Sequence, residues 1–132
     1  MPEVNRGARP LSPFMIGPYY RPQLTSISSI LVRITGIITL GTTFLLVVWL
    51  FAAASSDSAF GLVDAAFQSV LGIVVLSIAV WAAFYHMLGR LRHVVWDFGY
   101  ALNVETSERM AIGMFAGATV LTVITLFAVL LA

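Results

Sequence analysis

Residues 65–89 read AAFQSVLGIVVLSIAVWAAFYHMLG, an uncharged run with a single histidine, His86, near its end. A helix crossing about 30 Å of hydrocarbon needs roughly 20 apolar residues, and this run supplies them. Working outward, charge is also absent from residues 34–56 and from residues 110–132. A lone apolar segment must satisfy its own backbone polar groups in lipid, so each run reads as a helix. Pro22 is the last breaker before the first run, which therefore starts near Thr25. The expected fold is an all-α membrane protein of three transmembrane helices in one membrane-anchor domain, 1–132. It comprises an N-terminal segment 1–24 and helices at about 25–54, 64–93 and 107–131. Asp64 is the expected cap of the second helix, Thr106 or Ser107 that of the third, and Gly99 breaks the chain between them.

Composition agrees. The chain has 132 residues, 60% hydrophobic and 10% charged, whereas a soluble domain carries about 25% charged residues to solvate its surface. The net charge of +1 is too small to argue for a nucleic-acid partner. There is no cysteine, which excludes c-type haem attachment and thiolate-bound iron–sulfur clusters in this chain. The opening MPEVNRGARPLSP lacks an apolar run behind a basic head and reads as neither a signal nor a transit peptide.

The basic residues are Arg6, Arg9, Arg21, Arg33, Arg90, Arg92 and Arg109. Three spans place all of them on one side of the bilayer. By the positive-inside rule the N-terminus is expected in the cytoplasm and the C-terminus in the periplasm.

Ionisable groups at membrane depth are costly and mark sites. Arg33 and His86 are the candidates. Thr25, Ser29, Arg33 and Gly36 form one polar, small-residue stripe at helical spacing. A hydroxyl and a guanidinium one turn apart can hydrogen-bond a carbonyl head group; equally, Arg33 can be a snorkelling interfacial arginine and Ser29 a back-bonding or packing residue. His86 lies about one and a half turns inside Arg92. Ala79, Ala82 and Ala83 on one side of it, with Gly89 and Arg90 on the other, would let a flat cofactor lie against the helix while the imidazole reaches its metal. Arg90 and Arg33 would then meet carboxylate propionates. The same small residues also suit plain helix packing. His93, one heptad on and beside Arg92 at the surface, reads as a solvated interface residue or a haem-edge contact. Two histidines on one helix face cannot bracket one haem, so a second axial ligand would come from another chain. Trp49, Trp81 and Trp96 read as lipid-facing or interfacial anchors, and Gly113-x-x-x-Gly117 as a packing motif. No span holds a general acid–base pair or a nucleophile with its base, so the chain is expected to be non-catalytic on its own.

Two segments resemble a known family. Arg9-Pro-Leu-Ser-Pro13, Tyr20-Arg-Pro-Gln-Leu-Thr-Ser26 and Ser29-Ile-Leu-Val-Arg-Ile-Thr-Gly36 are similar to the opening of the cytochrome b membrane-anchor subunit (the C subunit) of succinate dehydrogenase, respiratory complex II. His86 with Arg92-His93-Val-Val-Trp-Asp97 and Phe98-Gly99 resembles its second signature. The resemblance implies an anchor in the bacterial inner membrane that passes electrons from an iron–sulfur subunit to ubiquinone within the tricarboxylic acid cycle and respiratory chain. It implies one haem b with His86 as axial ligand, the other ligand coming from a second membrane-anchor subunit, and a flavoprotein subunit docked beyond the iron–sulfur subunit. Ser29 and Arg33 look like its quinone-site pair, Trp96 and Asp97 like interface residues. Four departures stand out: Phe14 replaces a histidine, two residues are added between Pro13 and Tyr20, Val32 replaces a histidine near the propionates, and glycine comes one position early, at 89, with Arg90 in its usual place. Arg90 is expected to hold the propionate that a histidine at position 32 would otherwise meet.

Two other functions fit the same pattern: a haem-free structural anchor in which His86 only packs, and the equivalent subunit of a quinol:fumarate reductase. A small transporter does not fit, because the spans carry no acid for coupling.

Overall fold

The structure is a computed structural model that describes residues 22–131. Arg6, Arg9, Arg21, Phe14 and the first two family-like segments up to Arg21 lie outside the described residues. Four helices follow in order: α1, Leu24–Ser55; α2, Asp57–Gln68; α3, Val70–Asp97; and α4, Val104–Leu131. Three of them, α1, α3 and α4, are long and apolar enough to span a membrane. At 1.5 Å per residue the 32 residues of α1 reach about 48 Å, so its ends project beyond the hydrocarbon.

The second apolar run divides where one helix was expected. Ser69 is extended at ψ 158°, and its hydroxyl accepts from the Gly72 amide at 3.1 Å, which makes it the N-cap of α3. Asp64 sits inside α2 and caps nothing; its carboxylate accepts from Gln68 and, at 3.4 Å, from the Trp49 indole. Ser56 caps α2 by accepting from Ala59 N. The α2–α3 joint folds back so closely that a Cβ at Gly72 would run into the backbone carbonyls of Ala66 and Phe67. Backbone cannot yield as a flexible side chain can. Gly72→Ala is therefore expected to lower the stability of the detergent-solubilised protein by about 1–3 kcal/mol. Gly61→Ala, in open space on α2, should raise it by about 0.5–1 kcal/mol. Denaturation midpoints in SDS check the pair.

At its far end α3 runs four residues past the expected 93 and stops in a Schellman motif. Gly99 at φ +78° donates to Trp96 O, and Tyr100 N donates to Val95 O. The Trp96 indole latches the turn by donating to Ala101 O at 3.3 Å. Asn103, rather than Thr106 or Ser107, caps α4, its Oδ1 accepting from Thr106 N at 2.8 Å.

Helix α3 packs between α1 and α4, around a core of Val32, Tyr85, Met114 and Ala118. Trp81 is half-buried and ties α3 to α4: it stacks on Tyr85 at 5.0 Å and donates to Thr119 of α4. Trp49 ties α1 to α2 through Asp64 and Phe60. Of the Gly113/Gly117 pair, Gly117 meets Leu88 of α3 and Gly113 packs on nothing. Long aliphatic and aromatic side chains from Ile30 to Leu131 stay exposed along all three spans, the surface expected of a chain solvated by lipid or by other helices.

Candidate functional site

Gly36 on α1 has no side chain, and the His86 ring fills the space one would take. A Cβ there would stand 2.8 Å from His86 Cε1 and 3.1 Å from Nδ1. The gap lets the imidazole reach the α1 backbone, where Nδ1 lies 2.8 Å from Val32 O. A carbonyl oxygen only accepts, so Nδ1 carries the proton and donates. In the neutral ring this leaves the lone pair on Nε2, which makes no hydrogen bond among the described residues. Histidines that bind metal commonly donate their other ring N–H to a carbonyl or carboxylate in this way.

Val32 is buried, and Gly89 of α3 is the reason it fits: a Cβ at 89 would run into Val32 Cγ2. The two departures at positions 32 and 89 thus touch each other. Valine turns inward to the α1–α3 crossing, and glycine has moved to the position that makes room for it.

An apolar cleft of about 460 Å3 lies among α1, α2 and α3, with Thr39, Thr43, Phe67, Leu76, Ala79 and Ala83 among its walls, Ala83 standing one turn before His86 on α3. Of the small-residue face read from the sequence, Ala83 is exposed, whereas Ala79 and Ala82 are buried in the bundle. The residues present fit a haem: one nitrogen with a free lone pair, fixed by a backbone acceptor, beside an apolar cleft. Among the described residues no three His, Asp or Glu side chains come together, so His86 stands as a single donor.

Ser29 is half-buried and Arg33 exposed, one turn apart on α1. Neither side chain makes a hydrogen bond among the described residues. Arg90 is exposed one turn beyond His86. His93 is not simply solvated: it is half-buried against the Trp96 ring edge, at 5.3 Å and 87°, with a buried Nδ1 that has no partner among the described residues.

The largest correction concerns Arg92, expected at the surface and found only 4% exposed. Its guanidinium donates to Ser28 Oγ at 2.8 Å and to Ser107 O and Oγ at 2.9 and 2.6 Å. It also lies 4.3 Å over the Trp96 ring. These bonds hold the start of α1, the end of α3 and the start of α4 together. Arg33, Arg90, Arg92 and Arg109 therefore share one end of the bundle, which agrees with the one-sided distribution read from the sequence. Tyr85–Gly89–Arg92 is a buried stripe at helical spacing, a signal that was present and pointed inward.

The family of succinate dehydrogenase/fumarate reductase transmembrane subunits matches residues 5–125. The chain belongs to this family. Membership and three apolar helices make it a multi-pass membrane protein. The succinate dehydrogenase cytochrome b556 subunit of Paracoccus denitrificans is 42% identical over 126 residues, 96% of this chain and 95% of the relative. That of Rickettsia conorii is 29% identical, covering 88% and 89%. The succinate dehydrogenase cytochrome b560 subunit of Reclinomonas americana is 34% identical, covering 74% and 69%. The resemblance carried by the two motif blocks is thereby confirmed along nearly the whole chain.

Proposed function

We propose that the chain is the haem b- and ubiquinone-binding membrane anchor of a bacterial succinate dehydrogenase. It sits in the inner membrane with its N-terminus cytoplasmic and its C-terminus periplasmic. The observation that carries this reading is His86, its Nδ1 committed to Val32 O and its Nε2 without a hydrogen-bond partner among the described residues, one helical turn from the cleft that Ala83 helps to wall.

Haem b, when bound, supplies one-electron chemistry between ferric and ferrous iron. The chain's own residues place it. His86 offers Nε2 as one axial nitrogen. Ala79 and Ala83 keep the neighbouring helix surface low. Arg90 and Arg33 carry positive charge to the arginine-bearing end, where propionate carboxylates are held. His93, a heptad away on the same helix, could not hold the iron from the other side, so a histidine of a second membrane-anchor subunit would be needed to complete the site. The His93 ring stands at the edge of this region.

Ubiquinone is the substrate. Ser29 and Arg33 make no side-chain hydrogen bond among the described residues, and a hydroxyl with a guanidinium one turn away suits a quinone carbonyl that gains negative charge on reduction. The iron–sulfur subunit, followed by the flavoprotein subunit, docks on the same end, with Trp96 and Asp97 at its edge. Electrons from succinate then reach the quinone without crossing the bilayer. Within this assembly the chain binds and orients, and the cofactors carry the electrons.

Purification of the tagged chain from its native membranes in mild detergent tests the reading. Recovery of a flavoprotein, an iron–sulfur protein and a second small anchor is expected, with a b-type reduced-minus-oxidised spectrum. Recovery without the two soluble proteins would overturn the complex assignment. A complete complex without the spectrum would leave a haem-free anchor.

A further inference from the structure

We propose that helix α1 acts as the tuning element for the His86 ligand: the Val32 carbonyl sets its electron-donating strength, and Gly36 leaves the gap through which the two meet. The inference rests on the haem reading above and adds to it two positioning residues, Val32 and Gly36, that act through the His86 ring.

The geometry is specific. Three donors converge on Val32 O. Besides the ordinary helical N–H of Gly36, Thr35 Oγ1 lies 3.1 Å away and His86 Nδ1 2.8 Å away. Thr35 is 2% exposed and splits its hydroxyl between Val32 O and Leu31 O, the latter at 2.7 Å. The carbonyl itself cannot drift, because Val32 is clasped by Gly89 and Met114 of the neighbouring helices. At Gly36 the approach leaves no room for a methyl group without moving the imidazole. By contrast Gly41, further along α1, has nothing within 4 Å.

An N–H donated to a carbonyl pushes electron density into the ring and makes the opposite nitrogen a stronger base. A stronger donor favours ferric over ferrous iron and lowers the midpoint potential. Weakening the Nδ1–Val32 bond must then raise the potential. Removing the competing Thr35 donor must strengthen the bond and lower it. These opposite signs separate tuning from mere damage, which has no reason to act in both directions.

The test uses the intact purified complex and redox titration of its b-type spectrum, with the low-spin EPR g-values as a second readout. A wild-type complex without haem would overturn the haem reading, and with it this inference. With haem present, Gly36→Ala is expected to raise the midpoint and shift the g-values. A tenfold loss of ferric preference would read as a rise of about 59 mV for a one-electron couple. Thr35→Val is expected to lower the midpoint, and Gly41→Ala to leave it unchanged. Wild-type potential and g-values in Gly36→Ala would overturn the proposal. If Gly36→Ala fails to assemble, Thr35→Val decides: an unchanged or raised midpoint overturns the proposal.

Discussion

His86→Ala is expected to remove the b-type absorbance of the purified complex, by at least tenfold, while the three-helix bundle remains assembled. Loss of absorbance is expected because the chain has no substitute. Its only other histidine, His93, lies two turns further along α3 with its Nδ1 buried against the bundle and its ring on Trp96. At position 32, where the family usually has a histidine, stands a buried valine. Survival of the bundle follows from what the substitution leaves behind. Val32 O keeps its helical partner and the Thr35 hydroxyl, so no carbonyl is stranded in an apolar medium. A single interhelical hydrogen bond within a membrane is worth about 0.6 kcal/mol on average, and His86 is only half-buried. Denaturation in SDS should therefore shift little. Reduced-minus-oxidised difference spectra at matched protein concentration read the haem. A b-type signal of wild-type intensity in His86→Ala would show that the ligand lies elsewhere.

The three spans were legible because hydropathy over 20 residues is a bulk property that no local detail reverses. The break at Ser69 was not, since a serine cap inside an uncharged run changes hydropathy little. It shows only as a hydroxyl three residues before a glycine, a pattern that also occurs within helices. Of the site, the residue types were legible and their partners were not. His86 stood out as the lone ionisable group deep in its span, but its bond to Val32 O joins residues 54 apart and depends on how two helices cross. Valine at position 32 looked like a deficit in sequence. Only the crossing shows that Val32 and Gly89 are two sides of one contact. Arg92 was misplaced for a different reason. The general tendency of a cation near a helix end to reach for water outweighed the phase of its own helix, in which Tyr85 and Gly89 already marked the buried side.

Arg92→Ala should destabilise the protein more than any other single substitution at the arginine-bearing end, by about 2–3 kcal/mol. Hydrogen bonds to a charged group contribute about 1.5–3 kcal/mol each in soluble proteins. Interhelical bonds in membranes contribute less, about 0.6 kcal/mol on average. Arg92 makes three, to two different helices, and a cation–π contact with Trp96 besides. Lysine does not rescue it, because one ammonium group cannot span Ser28 and Ser107 as a planar fork does. Arg92→Lys should therefore fall between Ala and wild type. The functional cost is expected at the quinone rather than at the haem. Ser28 is the immediate neighbour of Ser29, so releasing it loosens the start of α1 as far as Ser29, one half of the proposed quinone pair. His86 is held one to two turns further along α1, by Val32 and Gly36, and keeps its place. The expected signature is a raised KM for ubiquinone with a b-type spectrum of normal intensity, alongside a lowered SDS midpoint. Stability within about 0.5 kcal/mol of wild type would mean that the three bonds are not formed in the membrane. Equal loss of haem and quinone reduction would mean that Arg92 supports the whole bundle rather than the entrance of α1.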